Sequence, residues 1–365
     1  MNLKKRGMES KTNLVNFISA TLILISAFVW FSFLPSVSAW REAKFSNLKI
    51  TGEEEKDKRQ LDLSKVSKER EKDGKEFMTF DQLVVSVPEA PVKDKSFGET
   101  YMRARSSIAI DANAGTILHY QNGNRRMAIA SLTKVMTAIV AIENIKDLDS
   151  EIVTIDEESR FTDGTKVGCP RSGYCISNRL QVGEEISSRA LLEAMLMNSA
   201  NDAAVAIGKH IAGSQAEFAD MMNKKAREIG LSDTNFCNPS GLDEESKPGG
   251  CYSTAYDFAR ISAYALKHPL IWEIMKYETK DISCVNGTIS HKIINTDLLL
   301  GQLPNVVGGK TGFTYEAGKS LMMAAHHPTD QNAKVIVVVL DDNHRWEDMK
   351  KMFTWVFGAY NWSKK

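Results

Sequence analysis

Hydrophobic and polar positions follow several different rhythms along this chain, and the changes of rhythm divide it into segments. Two β-like runs, "SSIAIDA" from Ser106 and "TILHYQN" from Thr116, flank "NAG" and predict a hairpin. From Ser131 to about Ile145 the apolar residues repeat at helical spacing. That spacing returns in "SSRALLEAMLMNSANDAAVAIGKHIAG", with a break between helices expected at "NSAND". It returns again in "AEFADMMNKKAREIG", which ends on Gly230. A further helix is predicted over "TAYDFARISAYALKH", stopped by Pro269. Strand-like runs reappear late as "LPNVVGGKTGFT", "GKSLMMAAHH" and "AKVIVVVLDD", and the amphipathic "RWEDMKKMFTWVFGAY" closes the chain. Strands at both ends and helices in the middle predict one α+β domain, its antiparallel sheet built from the two ends.

The N-terminus has a different texture. Lys4, Lys5, Arg6 and Lys11 precede a mostly apolar run from Leu14 to Leu34, the pattern of an export signal and long enough to span a bilayer. Val37 and Ala39 in "SVSAW" are small residues suited to cleavage, so residues 1–39 read either as a signal peptide or as a retained membrane anchor. The basic flank places the N-terminus in the cytoplasm and the rest of the chain outside. Residues 40–96 begin with a stretch dense in charges of both signs and poor in aromatics, which predicts a flexible tether. Within it, Leu83 to Val87 is a short apolar run halted by Pro88. The folded domain is expected over 97–365.

Composition changes the picture in two respects. The 46 basic and 46 acidic side chains cancel, so no global field recruits nucleic acid. Export makes the five cysteines legible as disulfide formers. Cys169 and Cys175 bracket "PRSGY", and Cys237 and Cys251 bracket a Gly/Pro-rich loop. Two local bridges are expected with Cys284 left over, although connectivity and free thiols stay open at this level. No cysteine pair has zinc-finger spacing with histidines, so no metal is expected; nor does the pair His326–His327 have an HExxH partner.

Candidate chemistry starts at Ser131 and Lys134, one helical turn apart where a polar loop becomes an apolar run. A desolvated amine beside a serine hydroxyl can take its proton. A capping serine with a solvated lysine gives the same four letters. Two further fragments alter that balance. "NSANDAA" supplies Ser199 and Asn201, and "GGKTGFT" supplies Lys310, Thr311 and Gly312; the three fragments follow one another at about 70 and about 110 residues. The order SxxK, SxN, KTG resembles the penicillin-binding proteins and serine β-lactamases. "ASLTKVMTA", "MLMNSANDAA", "TNFCNPSGLD", "CYSTAYDFARI" and "GGKTGFTYEAGKSLMMAA" narrow the resemblance to the low-molecular-weight D-alanyl-D-alanine carboxypeptidases, serine peptidases of family S11, from about Met102 to about Tyr360. "VVGGKTG" is not a phosphate loop, because the four-residue gap and the following helix are missing.

The resemblance implies a β-lactamase/transpeptidase-like fold: a five-stranded antiparallel sheet flanked by helices, with a helical subdomain. It implies that Ser131 is the acylated nucleophile and Lys134 its base. Ser199 would relay a proton to the leaving D-alanine, and Asn201 would orient Lys134 and the substrate. Lys310 and Thr311 would hold the terminal carboxylate; Ser131 and Phe313 would supply the oxyanion N–H groups, with Gly312 and Thr314 completing the substrate wall. No cofactor is implied. The partners would be peptidoglycan stem peptides ending in D-Ala-D-Ala, with β-lactams as covalent inhibitors, in the cell envelope. A D,D-endopeptidase cutting cross-links is the alternative reaction. A silent penicillin-sensing module and a class A β-lactamase stand lower, the latter for want of an "ExxLN"-type segment. Several departures accompany the likeness. The chain stops at Lys365, without the C-terminal β domain of some members. Cys251 stands where a histidine usually precedes "YSTA". Residues 161–179 look like an embellishment that reaches the cleft rim.

Overall fold

Residues 90–171, 173–243, 249–331 and 333–362 are described by a computed structural model. In chain order they form β1 (Val92–Lys93), β2 (Ser106–Asp111), β3 (Ile117–Gln121), α1 (Lys134–Asn144), β4 (Ile152–Thr154), α2 (Glu157–Phe161), β5 (Glu185–Ser187), α3 (Ser188–Met197), α4 (Asn201–Ala212), α5 (Gln215–Glu228), α6 (Ala255–Ala265), α7 (Pro269–Lys276), β6 (Thr279–Ser283), β7 (Ser290–Ile294), β8 (Val306–Thr314), β9 (Gly318–His326), β10 (Lys334–Leu340), α8 (Arg345–Ala359) and β11 (Tyr360–Asn361). The apolar run 14–34, the charged stretch and the Leu83 to Val87 run lie outside the described residues. Among the described residues no helix is long and apolar enough to cross a membrane.

Five strands make the main sheet in the order β3-β2-β10-β9-β8, antiparallel throughout. The N-terminal hairpin pairs with the late strand β10, so the two ends of the chain do build one sheet. Both faces of β10 are covered, which is why "KVIVVVL" reads as a continuous apolar run. Ile336, Val338 and Leu340 join the core shared with α1 and α3–α7, while Val335, Val337 and Val339 pack with Met349, Met352, Phe353 and Val356 of α8. β8 is left as an edge strand, and an edge presents unpaired backbone groups to whatever lies beside it.

The expected helix boundaries shift at two places that matter. The helix predicted from Ser131 begins at Lys134; Ala130–Thr133 is a turn of 3₁₀-helix instead. Ala130 has φ +49°, a left-handed conformation that cannot belong to an α-helix. Pro269 does not simply end α6, which closes by short i→i−3 bonds at Leu266, Lys267 and His268. It opens α7, where its missing N–H is one that no helix partner would satisfy. Two small two-stranded sheets, the β4–β5 pair and the β6–β7 hairpin, have too few apolar positions to stand out in the sequence.

Candidate active site

A cleft of about 1070 Å³ runs between the edge strand β8 and the starts of α1 and α4. Ser131, Ser199, Asn201, Thr311, Gly312 and Phe313 line it, and Thr314 extends the β8 wall. Lys134 and Lys310 lie beneath that surface, fully buried. The residues singled out in the sequence therefore meet at one place.

Lys134 is held by three contacts. Its Nζ lies 2.8 Å from Ser131 Oγ and donates to Asn201 Oδ1 and to the Ser240 carbonyl, each at 2.6 Å. The last two groups can only accept, so they claim two N–H bonds of a neutral amine and aim its lone pair at the serine hydroxyl. Burial, reinforced by the positive charge of Lys310, pushes the Lys134 pKa well below the usual lysine value; Asp202 opposes them. Lys134 is therefore not a solvated lysine, and Ser131 occupies neither cap position here, which fall on Ile129 and Thr133.

Ser199 occupies the break between α3 and α4 with φ +58°. A non-glycine residue in this region is strained by about 1–3 kcal/mol, strain that persists where the surroundings over-determine it. The surroundings here are its carbonyl, which accepts from Thr165 Oγ1 at 2.5 Å, and its Oγ, which accepts from Lys310 Nζ at 2.9 Å. The cap residue of α4 is Ala200, with no side-chain cap bond, so Ser199 is not capping that helix. Asn201 donates to the Asp163 carbonyl and receives Lys134 on its other side, which fixes its amide orientation.

Lys310 is not a solvent-facing edge lysine. Burial, then Arg345, lowers its pKa to about 7 against the pull of Asp297. Arg345, itself lowered to about 10 by burial, donates to the Gly312 and Ser320 carbonyls at 3.0 Å and adds positive charge behind the strand. Thr311 Oγ1 lies 2.5 Å from Thr296 Oγ1. The glycines around Lys310 suggest a close ligand approach, but what approaches them is protein. A Cβ would meet the Trp272 carbonyl at Gly308 (2.9 Å), Asp297 Oδ2 at Gly309 (2.3 Å) and the Ile129 carbonyl at Gly312 (2.8 Å).

Some of these participants escape sequence reasoning. The Ser240 carbonyl is a backbone atom, and its one local signal is "NPSG": Asn238 Oδ1 accepts from the N–H groups of Ser240 and Gly241 and forms the turn that aims it. Arg345 and Thr296 have no motif. Both expected bridges, Cys169–Cys175 and Cys237–Cys251, are present, and Cys284 is a buried free thiol. The segment inside the first bridge reaches the cleft through Pro170, Arg171 and Tyr174, as expected of residues 161–179.

That wall is tied down by His291 of β7, which contacts the Asn178 carbonyl at 2.8 Å and Glu184 at 2.6 Å. Burial lowers the His291 pKa, but the Glu184 carboxylate and the Asn178 carbonyl outweigh it and leave the folded value raised. A raised folded pKa contributes stability below the unfolded value of about 6.5, and that contribution disappears as pH rises through the folded pKa. Urea unfolding at pH 5.5 and pH 8.5 should therefore show His291→Gln costing more stability at the lower pH, and an equal cost at both would remove the charged pair from the account.

Residues 93–344 match the peptidase S11 family, described as D-alanyl-D-alanine carboxypeptidase. The chain is 33% identical over 284 residues to D-alanyl-D-alanine carboxypeptidase DacF of Bacillus subtilis, covering 76% of this chain and 69% of that protein. It is 31% identical over 239 residues to a D-alanyl-D-alanine endopeptidase of Pseudomonas aeruginosa, covering 65% of this chain and 70% of that one. Among solved structures it resembles the ampicillin-bound form of penicillin-binding protein D2 from Listeria monocytogenes. The TM-score is 0.60 and the identity 30%, over 72% of this chain and all (100%) of the other.

Proposed function

This chain belongs to the peptidase S11 family of D-alanyl-D-alanine carboxypeptidases, and on that premise we propose that it trims peptidoglycan stem pentapeptides through an acyl-enzyme on Ser131. The observation that carries the reading is the Lys134 amine, buried and aimed at Ser131 Oγ by two pure acceptors. In the first step Ser131 Oγ attacks the carbonyl of the penultimate D-alanine while Lys134 Nζ takes its proton. The N–H groups of Ser131 and Phe313 receive the oxyanion, Phe313 from the open edge of β8, along which the peptide lies as an added strand. Ser199, bonded to Lys310, relays the proton taken up by Lys134 to the departing nitrogen of the terminal D-alanine as the peptide C–N bond breaks, which leaves Lys134 neutral again. Lys310 and Thr311 hold the carboxylate of that residue, and Gly312 and Thr314 shape the wall. Water then attacks the ester, Lys134 accepts its proton and returns it to Ser131 Oγ as the ester C–O bond breaks, and the shortened peptide leaves with Ser131 and Lys134 restored.

Incubation with a pentapeptide ending in D-Ala-D-Ala and with cross-linked muropeptides, read by mass spectrometry, tests both the reaction and its preference. Release of one D-alanine from the pentapeptide is expected, and no release from either substrate would sink the proposal. The same chemistry on a cross-link is the alternative, supported by the relative named as an endopeptidase. β-Lactams would acylate Ser131 as substrate mimics. Labelling by a fluorescent penicillin should map to the peptide carrying Ser131. Export by the segment 1–39, as signal or anchor, would place the catalytic domain 97–365 on the peptidoglycan side, and the mass of the mature N-terminus tests this.

Acylation should follow a bell-shaped pH profile. Lys134 must be neutral to accept a proton, so the rate rises with pH through its lowered pKa. Lys310 loses its charge as pH passes about 7, so the hold on a carboxylate falls. Lys310→Arg keeps a charge that does not titrate, and should move the descending limb to higher pH. Second-order acylation rates across the pH range check this; an unmoved limb would assign it to another group.

A further inference from the structure

Lys134 owes its direction to two acceptors, and each acceptor stands beside a disulfide. The Ser240 carbonyl belongs to the turn that follows Cys237, where Asn238 Oδ1 accepts from the Ser240 and Gly241 N–H groups at 3.2 and 2.8 Å. Cys237 is bridged to Cys251, next to the mutual backbone pairing of Asn235 with Tyr252. The bridge also lies close behind the nucleophile. Cys237, Cys251 and Gly241 share a void of only about 20 Å³ with Ile129 and Ala130, room for about one water. While the bridge is closed, the turn has little space in which to shift.

The other acceptor, Asn201 Oδ1, is set by the stretch that leads into Cys169. Asn201 gives its backbone N–H to the Thr165 carbonyl and its side-chain amide to the Asp163 carbonyl, both at 2.8 Å. Thr165 Oγ1 in turn donates to the Ser199 carbonyl, and Asn198 Nδ2 to the Lys166 carbonyl. Lys166 is anchored on Cys169 by two backbone bonds, of 3.1 and 2.8 Å, and Cys169 is bridged to Cys175. The two bridges span only 6 and 14 residues of sequence. A cross-link removes least entropy from the unfolded chain when its loop is short, so loop entropy is the weaker reason for placing them here.

We propose that both disulfides position the Ser131 site: Cys237–Cys251 fixes the Ser240 carbonyl, Cys169–Cys175 fixes Asn201, and acylation depends on both bridges being closed. The inference rests on Lys134 serving as the base of the acyl-enzyme reaction. A dithiol can open the first bridge at Cys175, which is exposed where Cys169 is buried. A thiolate of the reagent attacks Cys175 Sγ, the S–S bond breaks, and Cys169 leaves as a thiolate that takes a proton. The reagent's second thiol then displaces Cys175 and closes a cyclic disulfide, so two electrons pass to the protein and both cysteines end as thiols.

The test compares the wild type, Cys169→Ala/Cys175→Ala and Cys237→Ala/Cys251→Ala in their rates of labelling by a fluorescent penicillin across pH, with melting temperatures alongside. Each double variant should be acylated about tenfold more slowly than the wild type. Its ascending limb should also move to higher pH, because a loosened Lys134 gains water and its pKa climbs back toward the ordinary lysine value. Wild-type protein reduced with dithiothreitol, its thiols counted by mass spectrometry after alkylation, should show the same two changes. Folded variants labelled at the wild-type rate with an unmoved limb overturn the proposal, however far their melting temperatures fall. Loss of the folded state in the variants and on reduction alike would assign the bridges to stability alone and overturn it too. A wild type that takes no label fails earlier, at the Ser131 reading itself.

Discussion

Lys134→Ala should lower the rate of Ser131 acylation by at least about a thousandfold, within the range that removal of a positioned base commonly produces. The expectation rests on what surrounds the amine. Asn201 Oδ1 and the Ser240 carbonyl have no other role at Lys134 than to accept its two N–H bonds, so its lone pair has one direction to point. Alanine removes the base and leaves both acceptors buried without a donor, so some loss of thermal stability accompanies the loss of rate. Lys134→Arg should be equally inactive, because a guanidinium stays charged and cannot take the proton. Ser131→Ala should take no label at all. Time courses with a fluorescent penicillin, alongside melting temperatures, measure each effect. A Lys134→Arg variant acylated at the wild-type rate would show that the amine is a charge and not a base.

Gly241→Ala should be the most damaging single methyl group near the site. Gly241 has φ +78°, and a Cβ there would sit 2.0 Å from the Ala130 carbonyl oxygen and 2.7 Å from Thr133 Oγ1. The first contact is with backbone and cannot be relieved by a rotamer. One side of the clash is the loop whose Ser240 carbonyl orients Lys134, and the other is the residue preceding Ser131. Displacement of either by a few tenths of an ångström misaligns the amine and the hydroxyl. A stability loss of about 3 kcal/mol is expected, with acylation about a hundredfold slower. Gly115→Ala is the control: its φ is +70° but nothing lies within 4 Å, so it should cost about 1 kcal/mol and leave acylation unchanged. Urea unfolding and labelling rates separate the two. Equal effects at both glycines would mean that backbone conformation alone, and not the contact with Ala130, is responsible.

The main elements were legible because their periodicity is strong. "KVIVVVL" is apolar on both faces because it is covered on both, and α3 and α4 show their shared break at "NSAND". The β4–β5 pair and the β6–β7 hairpin were not, since a strand of a few residues with one or two buried side chains carries little pattern. Pro269 was read as a stop and is also a start, because proline suits the first turn of the next helix as well as it ends the last. The glycines of β8 were read as making room for a ligand, and they make room for Asp297, Trp272 and Ile129.

The order of the three motifs and the antiparallel sheet from both chain ends follow from local composition and spacing, because each depends on residue types and short-range periodicity; the cysteine spacing suggested the two local disulfides, and the tertiary structure decided them. The state of the chemistry does not. Whether Lys134 is a base depends on its burial, on Lys310, and on a carbonyl at Ser240, groups brought to it from distant parts of the chain. Whether Lys310 keeps its charge depends on its burial first, and then on Arg345 behind the strand. Such properties are set by distance and desolvation, which arise when the core closes around the site.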